Sequence, residues 1–203
     1  MRVKLTIDPL LNRDKIHEAC EEPVVIRVNN FTEDGLRDFE KELNLAGNSG
    51  QPVIPIIVDS FGGSIHSVLG MVAAIENCEL PVATICTTKC MSAGAVLFSF
   101  GDEGYRYMHP DATMMIHDAA WGTGGKVEDM KVDTKYVDEM NQRMFKKMAK
   151  HLGKDHDFIL GMIKTKNHLD WFLSAKEAKK IGIVNHLSIP KFEVTVSLDI
   201  KFG

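Results

Sequence analysis

The chain lacks what a cross-linked, membrane-bound or nucleic-acid-binding protein would need. Its four cysteines (Cys20, Cys78, Cys86 and Cys90) form no C-x-x-C pair, and 203 residues are enough to bury a full core without disulfide staples. They read as buried free thiols in a reducing cytoplasm. The longest apolar runs fall well short of the ~18 residues that a membrane span requires. The opening segment Met-Arg-Val-Lys-Leu-Thr-Ile-Asp-Pro has no apolar stretch of the kind an export signal carries. No block of Lys or Arg occurs, and a formal net charge of −4 argues against a nucleic-acid surface. A Walker A loop, a dinucleotide fingerprint, a metal-ligand cluster, an internal repeat and a linker are all missing as well. The expectation is a cytoplasmic chain with no cofactor and no metal, unable to hydrolyse ATP by itself.

What is present is the composition of an ordinary soluble globular protein, 44% hydrophobic and 26% charged. It suits one domain over residues 1–203, with a core at about 23–188 and a separate strand at about 192–200. Around Val3, Leu5 and Ile7 there is only a short apolar pattern. Pro23 to Val28 reads as a strand, and Asn30 or Thr32 can cap a helix whose apolar positions are Leu36, Phe39 and Leu43. Val53 to Asp59 is the next strand, with Pro55 acceptable only at its start or on an edge. A helix marked by Ile65, Val68, Leu69, Val72 and Ile75 follows, then a strand from Val82 to Thr87 and a helix from Ser92 to about Phe100. This β-α-β-α-β-α order implies an α/β fold with parallel strands joined by right-handed crossovers. Tyr105–His109 and Thr113–His117 read as short strands, Asp118–Gly125 as a loop, and Val127–His151 as a long helix. The helix carries a stripe of Val127, Met130, Val137, Met140, Met144, Phe145 and Met148, which is either ordinary core or, the preferred expectation for so long a helix, a subunit interface. Asp157 to Lys164 suggests a short helix, and Ser174-x-x-Glu177 a capping box opening another. Strict alternation from Phe192 to Ile200 predicts a half-buried strand.

Four stretches carry chemistry. Thr84 to Ala95 runs from a β-branched strand through a polar turn into small residues, setting Ser92 at a helix N-terminus beside bare N–H groups. A serine there is either a helix cap or a nucleophile. Ile56 to Ser64 is a second strand that turns on Gly62-Gly63. Ala112 to Asp118 is an apolar strand ending at His117, and Leu169 to Ala178 adds Asp170 beside an aromatic pair. Together they supply a hydroxyl, an imidazole and a second set of N–H donors, the parts of acyl-transfer chemistry. In parallel sheets ligands sit at the carboxyl ends of strands, where both the Gly62-Gly63 and the Met91-Ser92 turns lie. His66, His109 and Cys90 are the rivals to His117 and Ser92.

In order and spacing, Gly62-Gly63, Met91-Ser92-Ala93-Gly94-Ala95, Met115-Ile116-His117 and Phe172-Leu173-Ser174-Ala175-x-Glu177-Ala178, followed by Gly182-Ile183-Val184, resemble ClpP, the proteolytic-subunit family of the Clp protease. The likeness runs from about Val53 to Leu187. It implies a ClpP/crotonase-like fold with a protruding long helix. It also implies a serine endopeptidase with Ser92 as nucleophile, His117 as general base and Asp170 as its orienting carboxylate. The backbone N–H groups of Gly63 and Ala93 would form the oxyanion hole, and Gly62, Ser64, Ile65 and Asp118 would lie along extended peptide substrates. The same likeness implies a homo-oligomer, a heptameric ring or double ring, and an AAA+ unfoldase as possible partner, with neither nucleic acid nor membrane involved. The sequence departs from the family at four places, the mildest being Ala93 where the family often has methionine, a change that leaves the backbone N–H in place. His168 and Leu169 replace the acidic residue and arginine used in ring-to-ring contact. Asp118 replaces a glutamine, putting a second carboxylate next to His117. Met1–Glu22 does not resemble the axial loop that docks an unfoldase, which leaves a phage-type or maturation protease open. The alternatives are a crotonase-type acyl-CoA enzyme and a catalytically silent ring subunit.

Overall fold

In a computed structural model of the chain, residues 2–5, 23–120, 122, 124–191 and 195–198 are described, with backbone alone for 2–5 and 195–198. In chain order the elements are β1 (Arg2–Leu5), β2 (Ile26–Val28), α1 (Glu33–Asn48), β3 (Ile54–Ser60), α2 (Ile65–Glu76), β4 (Val82–Met91) and α3 (Ala93–Ser99). They continue with β5 (Arg106–Met108), β6 (Thr113–Ile116), α4 (Val127–His151), α5 (Phe158–Thr165), β7 (Trp171–Ser174), α6 (Ala175–Lys180) and β8 (Thr195–Leu198). The main sheet runs β2-β3-β4-β6-β7, with β5 also on β4. Every pairing in it is parallel except β6 with β7. The chain is thus mixed α/β with a mostly parallel sheet, as the alternation of elements implied.

Local chemistry explains most boundaries. Thr32, not Asn30, caps α1, its hydroxyl accepting the Gly35 N–H at 3.0 Å, and the helix buries Phe39, Leu43 and Ala46. Pro55 stands opposite Ala83 of β4, one residue before β2 begins to pair at Ile26↔Ile56. The flank towards β2 is open there, so β3 tolerates the missing N–H. The Ser174–Glu177 capping box is formed and opens α6.

Three expectations need correcting. β4 extends to Met91, not Thr87, because it changes neighbours partway: Thr84–Cys86 pair with β5 and Lys89–Met91 with β6. Its register with β3 shifts between Val58 and Ser60. The break in alternation made Thr87-Thr88-Lys89 read as a turn. Second, Trp171–Ser174 forms a strand, β7, where the sequence pattern indicates only an aromatic pair ahead of the capping box. Its four residues alternate buried and exposed, a run too short to read as a strand from the sequence. Third, the α4 stripe is mostly this chain's own core. Met140, Met144, Phe145 and Met148 are buried, whereas Val127, Val132 and Tyr136 are exposed. The helix splits into a packed C-terminal half and a projecting N-terminal half.

At the chain ends, β8 pairs in parallel with β1, Arg2 facing Thr195 and Leu5 facing Leu198. The remainder of the predicted 192–200 strand, the burial of its side chains, and Ile7 and Cys20 lie outside the described residues.

Candidate active site

The site gathers at the carboxyl ends of β3, β4 and β6. Met91 is the last rung of β4 against β6, facing Met115, and the next N–H, of Ser92, still donates to the Met115 carbonyl at 2.8 Å. The chain then turns sharply into α3. Ser92 takes φ 54° and ψ −121°, a conformation that non-glycine side chains resist. Its carbonyl accepts the Ala95 and Val96 N–H groups at 2.9 and 3.1 Å, but its hydroxyl makes no capping bond. The hydroxyl instead lies 2.8 Å from Nε2 of His117. The bland reading of Ser92 as a helix cap therefore does not describe this side chain.

His117 sits one residue past β6 and Asp170 one residue before β7. The final pair of that antiparallel ladder is Ile116↔Trp171, so the register itself brings imidazole and carboxylate face to face. Nδ1 of His117 is 3.6 Å from Oδ1 of Asp170, an ion-pair separation slightly beyond hydrogen-bond reach. With Nε2 accepting from the serine hydroxyl, the ring proton belongs on Nδ1, towards the carboxylate.

Gly62 and Gly63 approach from β3 with φ 114° and 153°. A Cβ on Gly62 would lie 2.7 Å from Ser92 Cβ, and one on Gly63 would lie 2.8 Å from the Phe31 carbonyl. Glycine is required for both φ and space. Buried Ser60 braces the turn, donating to the Asn29 carbonyl at 2.7 Å and accepting the Gly62 N–H at 3.0 Å. Among the described residues, the N–H groups of Gly63 and Ala93 meet no acceptor. Such bare donors suit an oxyanion.

A cavity of about 280 Å³ opens beside Ser92 and His117. Gly63, Ser64, Ile65 and Ala93 border it, and Val96, Ile116, Met140 and Met144 help give it an apolar lining. Gly62 meets the site through its close approach to Ser92. The Ser64 hydroxyl caps α2, accepting the Ser67 N–H. Asp118 borders a different cavity. Its carboxylate takes a hydrogen bond from Asn141 Nδ2 at 2.7 Å and lies 2.6 Å from His168 Nδ1, so it is engaged away from His117.

The rivals hold other partners, although His66 borders the same cavity. The His66 ring stacks on Tyr136, and His109 accepts the Asp111 N–H. Cys90 is fully buried and donates to the Val58 carbonyl. Burial, followed by the neighbouring Cys86, pushes its thiol well above the ordinary range, which keeps it protonated. Among the described residues there is no cluster able to hold a metal, and no helix is long and apolar enough to cross a membrane. Sequence reasoning missed Asn141 as part of this neighbourhood. The one available signal was an amide among the apolar positions of α4, where it is 6% exposed.

Residues 14–190 match the family described as Clp protease. The chain is also similar to the ATP-dependent Clp protease proteolytic subunit 1 of Salinibacter ruber (strain DSM 13855 / M31), 32% identical over 165 residues. That match covers 81% of this chain and 66% of the relative's length.

Proposed function

The chain belongs to the Clp protease family, and from that premise we propose that it is a serine endopeptidase working through Ser92, His117 and Asp170. His117 takes the Ser92 proton as Oγ attacks the scissile carbonyl, then gives it to the leaving amine. Water, deprotonated by the same imidazole, releases the acyl group from Oγ. Asp170 orients the ring and stabilises its protonated form. The N–H groups of Gly63 and Ala93 receive the oxyanion, each donor worth about 3–4 kcal/mol in the transition state. The observation that carries the reading is the 2.8 Å approach of Ser92 Oγ to His117 Nε2, with the hydroxyl free of any capping bond.

Substrates are unfolded or extended polypeptides, lying along Gly62–Ile65 and the segment that begins at Asp118. The chains assemble into a ring or double ring that encloses the sites, with the exposed half of α4 as a contact. Any ATP dependence enters through a separate unfoldase.

A fluorophosphonate probe tests the chemistry. Labelling at Ser92, abolished in Ser92→Ala and lost by about a thousandfold or more in His117→Ala, is the expected result. An unlabelled chain that binds acyl-CoA would instead be a crotonase-type enzyme. One silent in both assays would be a non-catalytic ring subunit.

A further inference from the structure

The ladder between β6 and β7 ends at Ile116↔Trp171. His117 and Asp170 both lie one residue beyond it: the register sets them opposite one another, and what joins the flanking segments refines their separation. Side chains make that join. His168 Nδ1 is 2.6 Å from Asp118 Oδ2, and Asn141 Nδ2 donates to Asp118 Oδ1 at 2.7 Å. The Asn141 amide oxygen in turn accepts the Ala119 N–H at 3.0 Å. Asp118 is adjacent to His117, and His168 is two residues before Asp170. Asn141 is anchored in the buried half of α4 between Met140 and Met144. The turn that aims His168 is itself unusual, with Asn167 and His168 consecutively at φ 54° and 59°. Left-handed pairs of non-glycine residues need surroundings that hold them. With Asp170 only just outside hydrogen-bond distance of His117, a sub-ångström displacement decides whether that bond forms.

Resting on the triad reading above, we propose that His168 is a positioning residue: through Asp118 and Asn141 it clasps the segment bearing Asp170 to the segment bearing His117. The clasp makes no hydrogen bond to Ser92, whose hydroxyl partner is His117. It acts on the orientation of the His117 ring.

Two readouts test this on the full chain. In peptide hydrolysis, His168→Ala lowers kcat about tenfold and leaves KM within about twofold. His168→Asn, whose Nδ2–H stands where Nδ1–H was and which tolerates left-handed backbone, restores kcat. The Asp118→Ala, His168→Ala double variant falls no further than Asp118→Ala alone. An unchanged kcat in His168→Ala, a failure of His168→Asn to restore it, or additive losses would overturn the clasp. The second readout does not need turnover. By NMR, the His117 Nδ1–H resonance is expected to move upfield in His168→Ala and to stay in place in His168→Asn. A resonance unmoved in His168→Ala overturns the proposal even if no peptide is cleaved. Absence of fluorophosphonate labelling at Ser92 in the unaltered chain counts against the triad reading alone.

Discussion

At Ser92 the backbone is held where a glycine would be more comfortable, a cost of order 1–3 kcal/mol borne by the surrounding structure. Strain and chemistry can therefore be separated by substitution. Ser92→Gly is expected to abolish peptidase activity and raise unfolding stability by about 1 kcal/mol, while Ser92→Ala abolishes activity without that gain. Thermal unfolding of the two variants side by side checks this. Gly62 presents the converse case. Gly62→Ala places a methyl 2.7 Å from Ser92 Cβ at a φ of 114°. The expected loss is about 2 kcal/mol of stability and at least about tenfold in kcat/KM, read by denaturant unfolding and peptide hydrolysis. Equal stability and activity to the unaltered chain would show that the turn relaxes.

At the scale of elements, α4 does two jobs along one axis. Met148 is fully buried, and Met148→Ala should cost about 2–4 kcal/mol through lost burial and a residual cavity. Val132 is 67% exposed, so Val132→Asp should leave single-chain stability within about 0.5 kcal/mol. If the projecting half joins subunits, the same substitution lowers the assembled mass in light scattering. An unchanged mass would move the interface elsewhere. β5 has its own fastening. Buried Arg106 donates to the Ile183 and Gly101 carbonyls at 2.8 and 2.9 Å and pairs with Glu103. The strand is thereby tied to the segment that follows α6.

At the scale of the whole molecule, acid stability follows from carboxylates held below their ordinary range. The Lys89 hydrogen bond, then that of Thr88, does this for Asp59, and Arg106 does it for Glu103. A depressed folded-state pKa contributes stability that is present above the unfolded value and lost as pH falls through the folded one. Both groups are substantially solvated, so the effect per residue is modest. The Asp59→Asn, Glu103→Gln double variant should therefore show a shallower fall of Tm from pH 5 towards pH 3 than the unaltered chain, the ordinary carboxylate window. An equal slope would assign acid unfolding to other carboxylates.

The sequence alone determined most of the order of elements, the cap at Ser174, the glycines at 62 and 63, and the identity of the hydroxyl, imidazole and carboxylate that converge on the site. Each is a local matter: apolar spacing fixes a helix or strand face, a hydroxyl caps a helix, and only glycine fits the backbone of the Gly62-Gly63 turn. Only the tertiary structure decided which residues meet. The change of neighbours along β4, the antiparallel turn-back of β7, the division of α4 into a core half and a projecting half, and the engagement of Asp118 by His168 and Asn141 all join residues far apart in the chain. Such contacts depend on sheet register and crossing elements, which no run of neighbouring residues encodes by itself.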